Sequence, residues 1–139
     1  MTILQVLFSL FNYHQAIRKM KLQVVQKDNK YYGELPTKWS SLTVNSTYIR
    51  DVDVNVITRY GKVCRVDFRG KVATAIPNNT AFATLPYPPA TQIVIIGGTG
   101  GHYEISSPRW MYVTGGGEIR AGAIDANTYI HISFTYICK

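Results

Sequence analysis

From residue 60 onward the chain is interrupted at short, regular intervals by residues that no helix tolerates. Pro77-Asn78-Asn79, Pro86-Tyr87-Pro88-Pro89, Gly97-Gly98-Thr99-Gly100-Gly101, Ser106-Ser107-Pro108 and Gly115-Gly116-Gly117 are all turn material. Between them lie runs rich in branched and aromatic residues: Lys71–Ile76, Ala81–Leu85, Gln92–Ile96, Trp110–Thr114, Glu118–Ala121 and Tyr129–Ile137. Strand signals spaced by about 8–12 residues are the text of a sandwich or barrel. Such a pattern leaves little room for anything but an antiparallel, Greek-key type of β fold.

The stretch that opens this half is the most regular. After Tyr60-Gly61, Cys64, Val66 and Phe68 alternate with Arg65, Asp67 and Arg69, as a strand with one apolar and one wet face requires. Upstream, Val52-Asp53-Val54-Asn55-Val56 alternates as strictly, which predicts the valines on a buried face and Asp51, Asp53 and Asn55 in water. Residues 3–22 read differently. Ile3, Leu4, Leu7, Phe8, Phe11, Ala16 and Met20 fall at spacings of three and four, followed by Arg18, Lys19 and Lys21, which predicts a helix. Its apolar stripe suits packing on copies of itself better than docking on a membrane surface. At 139 residues the chain holds one domain and an appendage. The expected division is an N-terminal amphipathic helix over 1–22, short β segments over 23–59 and a β head over 60–139.

Charge excludes some functions. The net charge of +7 comes from residues 1–71, with twelve of the fifteen Lys and Arg residues and five of the eight acids; residues 72–139 carry three of each and are neutral. The cations Lys19, Lys21, Lys27 and Lys30 are interleaved with apolar and amide residues instead of clustering, so a solvated face is expected and no nucleic-acid partner. Met1–Phe11 is apolar but too short to span a bilayer, and it has no preceding Lys or Arg and no following cleavage site. Cys64 and Cys138 are too few and too far apart for a zinc site of paired cysteines. Reduced, buried thiols are expected, although a bridge stays open because both lie in strong strands.

The order of motifs from about Tyr60 onward resembles the C-terminal head domain of minor structural, tail-fibre and receptor-binding proteins of tailed phages and prophages. The resemblance rests on the strand after Gly61-Lys62-Val63 and on Ala75-Ile76-Pro77-Asn78-Asn79-Thr80 leading to Ala83-Thr84-Leu85-Pro86. It continues through Pro88-Pro89, Arg109–Thr114, Gly117-Glu118-Ile119 and Ala126-Asn127-Thr128-Tyr129-Ile130 into Phe134-Thr135-Tyr136-Ile137. Tyr87 and Pro88-Pro89 depart from it, standing where a glycine and an aromatic normally separate two prolines. The resemblance implies a jelly-roll-like β-sandwich head that assembles as a homotrimer behind a stalk. It also implies other virion tail or baseplate proteins as partners, and a place in the virion tail, or in the bacterial cytoplasm when expressed from a prophage. For such a head the expected ligand is a host cell-surface polysaccharide.

Chemistry-bearing sets are sparse, and no catalytic residue, metal ligand or cofactor is expected. The glycine run at 97–101 lacks the Lys-Ser/Thr and the following helix of a phosphate loop, so we read it as a mobile hairpin loop. His14, His102 and His131 have no metal-ligand spacing. The candidate ligand residues are His102, Tyr103, Glu104, Arg109, Trp110 and Tyr112, which surround the glycine run in sequence. Aromatic faces stack on sugars while polar groups meet hydroxyls. Alternation puts Met111 and Val113 in the core and Trp110 and Tyr112 outside, where a subunit interface for Trp110 ranks just ahead of glycan contact. Two rival functions remain: a trimeric fibre or baseplate component without ligand, and a polysaccharide hydrolase using Glu104 and Glu118 as its carboxylate pair.

Overall fold

The computed structural model describes residues 2–12 and 38–139, and the chain divides into two units, Met1–Thr37 and Lys38–Lys139. In the first unit a helix runs over residues 3–12. Thr2 begins it with a reciprocal cap: the Gln5 amide donates to the Thr2 hydroxyl at 3.3 Å, and the Thr2 amide donates to the Gln5 side-chain oxygen at 2.9 Å. The side chains of 2–12 are all exposed, including Leu4, Leu7, Phe8 and Phe11. Residues 13–22 of the expected helix, and the strand-like residues Leu22–Gln26, lie outside the described residues.

The second unit is one antiparallel sheet of nine strands. They are β1 (Lys38–Ser40), β2 (Thr43–Val44), β3 (Ile49–Tyr60), β4 (Val63–Val72), β5 (Ala81–Thr84), β6 (Ile93–Gly100), β7 (Ile105–Val113), β8 (Glu118–Ala121) and β9 (Tyr129–Ile137). Their order across the sheet is β1-β3-β4-β9-β6-β7-β8-β5-β2, with the two shortest strands at the borders. The β4–β9 ladder is long, running from Val63 opposite Ile137 to Lys71 opposite Tyr129. By contrast β9 and β6 meet only from Gly98 opposite His131 to Gly100 opposite Tyr129. Around that short seam the sheet curls, and residues from both sides fill one core.

Alternation supplies that core. Cys64, Val66, Phe68 and Val72 of β4 are buried with Ile130, Ile132 and Tyr136 of β9. Phe82 of β5, Met111 and Val113 of β7, and Ile119 of β8 complete the packing. The turns follow their residue chemistry: Gly61, Asn79, Gly117 and Asn127 all hold positive φ, which glycine and asparagine accept at least cost. Asn127 donates to the Val72 carbonyl at 2.7 Å, setting the start of β9 against the end of β4. The antiparallel all-β class expected from the sequence is the class observed. Met111 and Val113 point inward, as the alternation requires, while Trp110 is 72% exposed.

Three local expectations fail. The 97–101 run is not a free loop: Gly97–Gly100 belong to β6, and Thr99 among them is 3% exposed. The glycines are there for close approach. A Cβ on Gly98 would stand 2.3 Å from Ile105 Cγ2, and one on Gly100 would stand 2.1 Å from the Glu104 carbonyl oxygen. Ser106-Ser107-Pro108 also continues as strand within β7, whose Pro108 lies opposite Gly98. Finally, the alternation at 52–56 holds only in part: Asp51 and Asp53 are exposed as expected, but Asn55 is half-buried like Val54 and Val56. A register shift between Arg50 and Val54, with Asp51 at φ 48°, resets the phase of β3. Val52 is consequently exposed, and Asn55 turns onto Leu42, accepting from its amide at 2.7 Å and donating to its carbonyl at 3.0 Å.

Candidate functional site

The β6–β7 turn carries His102 and Tyr103 to the bulged part of β3, and a polar-aromatic cluster forms there. Arg69 of β4 donates from Nε to both Asp53 oxygens, at 3.0 and 2.9 Å, and from Nη2 to Oδ2 at 2.7 Å. His102 Nε2 hydrogen-bonds the same Oδ2. The Arg69 hydrogen bonds, reinforced by His102 against some opposing desolvation, hold the Asp53 carboxyl well below the usual carboxylate range. The His102 ring lies 4.1 Å from the Tyr103 ring and 4.7 Å from that of Tyr129, centroid to centroid. Arg69 sits over Tyr103 at 5.0 Å, and His131 Nε2 donates to the Gly101 carbonyl at 2.9 Å. The result is a tip in which one carboxylate organises two cations or donors beside two tyrosine rings.

Beside this tip lies a groove of about 530 Å³ on the outer face of the sheet. Its apolar wall is Val54, Ile96, Ile105 and Pro108, and its polar groups are Asp67, Arg69, His131 and Ser133. Register explains the grouping. Val54 lies opposite Arg69, Arg69 opposite His131, His131 opposite Gly98, and Gly98 opposite Pro108, so one row crosses five strands. Asp67 is fixed within it by Arg65 at 2.9 Å and by the Ser133 hydroxyl, which donates at 2.7 Å; the Arg65 bond leads in lowering its carboxyl. A concave strip with apolar walls and oriented donors and acceptors is chemically suited to a polyhydroxylated ligand.

The six residues singled out by sequence do not form one site. His102 and Tyr103 join the tip. Trp110 and Tyr112 stand further along the outer face of β7, opposite Ile96 and Val94 of β6. With Val94 and Ile96 at 62% and 60% exposure, they make an exposed apolar patch. Arg109 turns to the other face, donating to the Ala123 carbonyl at 3.2 Å. Glu104 is exposed in the β6–β7 turn. Glu118 is bound to Arg120 at 2.7 Å at the far end of β7. The nine residues of β7 thus separate the two glutamates by roughly 30 Å at the rise of an extended strand. A glycosidase pair needs about 5–10 Å, so these two residues cannot serve as one. Among the described residues, no group of three or more His, Cys, Asp or Glu could hold a metal ion.

Asp53, Arg69, Tyr129 and His131 were not singled out by sequence. One signal was available for the first two, since they lie equally far on either side of Gly61, where a hairpin would bring opposite charges together. Tyr129 and His131 come from a strand remote in sequence, and only the β4–β9 register reveals them.

No family model and no curated protein matches the sequence. Among solved structures, the chain is similar to the head domain of lactococcal phage bIL170, described with the receptor-binding domains of lactococcal phages. The TM-score is 0.55 at 13% sequence identity, covering 74% of this chain and 99% of that one. At that identity the likeness is one of architecture, and it extends over nearly the whole of the phage domain. The chain therefore carries the fold of a phage head domain.

Proposed function

We propose that this protein is the receptor-binding head of a phage or prophage virion protein, a non-enzymatic β domain that acts as a homotrimer and binds a host cell-surface glycan. The observation that carries the reading is the likeness to nearly all of a phage receptor-binding head. The tip and groove support it, since Tyr103, Tyr129, His102 and Arg69 offer ring faces and donors to a saccharide beside an apolar wall. Weak contacts at single sites gain strength when copies act together. The helix within residues 1–22 is the proposed trimerisation segment or stalk remnant, and of the connector expected over 23–59, residues 38–59 already belong to the nine-stranded unit. Its place would be the virion tail, or the bacterial cytoplasm during prophage expression, beside other tail or baseplate proteins.

The test is binding of the purified chain to an array of bacterial surface polysaccharides, with Tyr103→Ala and His102→Ala beside the parent. Retention that both substitutions reduce at least tenfold is the expected result. Strong binding that neither changes would move the site away from the tip. A second reading, a fibre or baseplate component without ligand, is favoured by the Val94, Ile96 and Trp110 patch, which suits burial between copies. A trimer that retains no polysaccharide would select it.

A further inference from the structure

The core contains two nucleophiles that neither the tip nor the groove uses. Cys64, at 0% exposure, lies on the inner face of β4 opposite Tyr136 of β9. Two residues beyond Tyr136, Cys138 is buried to 1%, and its amide donates to the Lys62 carbonyl at 2.8 Å. That bond sets Cys138 opposite Lys62, so the two cysteines occupy neighbouring same-face positions on adjoining segments. Both thiols are free, Cys138 and Tyr136 both act on the Cys64 thiol, and the Tyr136 hydroxyl donates to the Tyr87 carbonyl at 2.6 Å. Cys138 is also bridged to Pro89, which ties the segment before β6 to the same corner.

We propose that Cys64 and Cys138 are a preassembled dithiol that oxidises to a disulfide, fastening β4 to the segment following β9. The partner chemistry is a low-molecular-weight disulfide such as oxidised glutathione. One cysteine thiolate attacks it, releasing a glutathione thiolate and leaving a mixed disulfide. The second cysteine thiolate then attacks the protein sulfur, forming the Sγ–Sγ bond and releasing the second glutathione. The two protons lost by the cysteines end on the two glutathione thiolates, and two electrons pass from protein to oxidant. Burial governs the rate. It pushes the Cys64 thiol up to about 11, so the closed protein holds little thiolate and the exchange requires release of residues 137–139 from Lys62 and Pro88. The bridge would close a loop spanning most of the sheet, which restricts the unfolded chain strongly.

The experiment uses the whole chain in two arms: the folded protein held in mildly alkaline oxidised glutathione, and the denatured protein refolded in a glutathione redox buffer. Both are acid-quenched, unfolded and alkylated. The expected result in the refolding arm is a monomeric chain without alkylatable thiol or glutathione adduct, in which digestion joins the Cys64 and Cys138 peptides. The thermal midpoint should rise by about 5 °C or more and fall back on adding reductant. Cys138→Ser should abolish both the joined peptide and the shift. Two alkylatable thiols after refolding, or a stable glutathione adduct on either cysteine, would overturn the proposal. The folded arm measures how far burial slows the same reaction.

Discussion

At the scale of single residues, the most consequential side chain is Asp53, because Arg69 and His102 both depend on it for position. Its carboxyl is held below its ordinary 3.8, so the folded state binds a proton there less readily than the unfolded state. The stabilisation is therefore complete above 3.8 and declines as the pH falls through and below that value. Thermal midpoints of the parent and Asp53→Asn should differ by a constant amount near neutrality and converge in acid; a gap that widens in acid would contradict this. Asn55 is the other residue with a measurable role, since one amide satisfies both backbone groups of Leu42. Asn55→Ala should cost about 1–3 kcal/mol in chemical denaturation. The role of Asn55 was not legible in sequence, and that of Asp53 only through its symmetric placement with Arg69 about Gly61. Both residues read as the wet face of a regular strand, and the Asp51 bulge that changes their surroundings has no signature stronger than an aspartate in a run of alternating residues.

At the scale of elements, β6 shows how a correct composition rule can be misapplied. Glycines at 97, 98, 100 and 101 read as a loop because glycine usually marks one, but at the first three of these neighbouring atoms occupy the space that a side chain would need. The neighbours differ in how easily they can yield. At Gly100 the obstacle is backbone, at Gly98 it is the exposed side chain of Ile105, and at Gly101 nothing lies within 4 Å. Gly100→Ala should therefore destabilise by about 1–3 kcal/mol, Gly98→Ala by less, and Gly101→Ala least of all, measured by urea midpoints. Equal effects at the three positions would return the run to a loop. The elements whose sequences alternate without bulge or glycine, β4 up to Arg69, β7 from Arg109, β8 and β9, were legible because burial of one face is all that defines them, whereas the continuation of β4 through Gly70 to Val72 was not.

At the scale of the whole molecule, the class of fold was legible from the spacing of turns, whereas the pairing of distant strands was not. Which strand meets β9 depends on non-local contacts that no local pattern encodes, and the tip's Tyr129 and His131 depend on that meeting. Assembly is the property to measure at this scale. Light scattering of the full chain should give three times the 15.6 kDa chain mass. Trp110→Lys, which places a charge in the Val94 and Ile96 patch, should shift the population toward monomer without lowering the unfolding midpoint by more than about 0.5 kcal/mol equivalent. A trimer indifferent to that change would move the interface elsewhere.

The sheet is bordered by strands of three and two residues, β1 and β2. A long bare border would present a row of free amides and carbonyls on which another chain could template itself. Here each border offers only a few such groups before the chain turns away. Copies of the unit can thus be crowded at high local density with little opportunity to exchange strands through β1 or β2, and the backbone available to a neighbouring chain lies instead where β6 and β9 part, at residues 93–97 and 132–137.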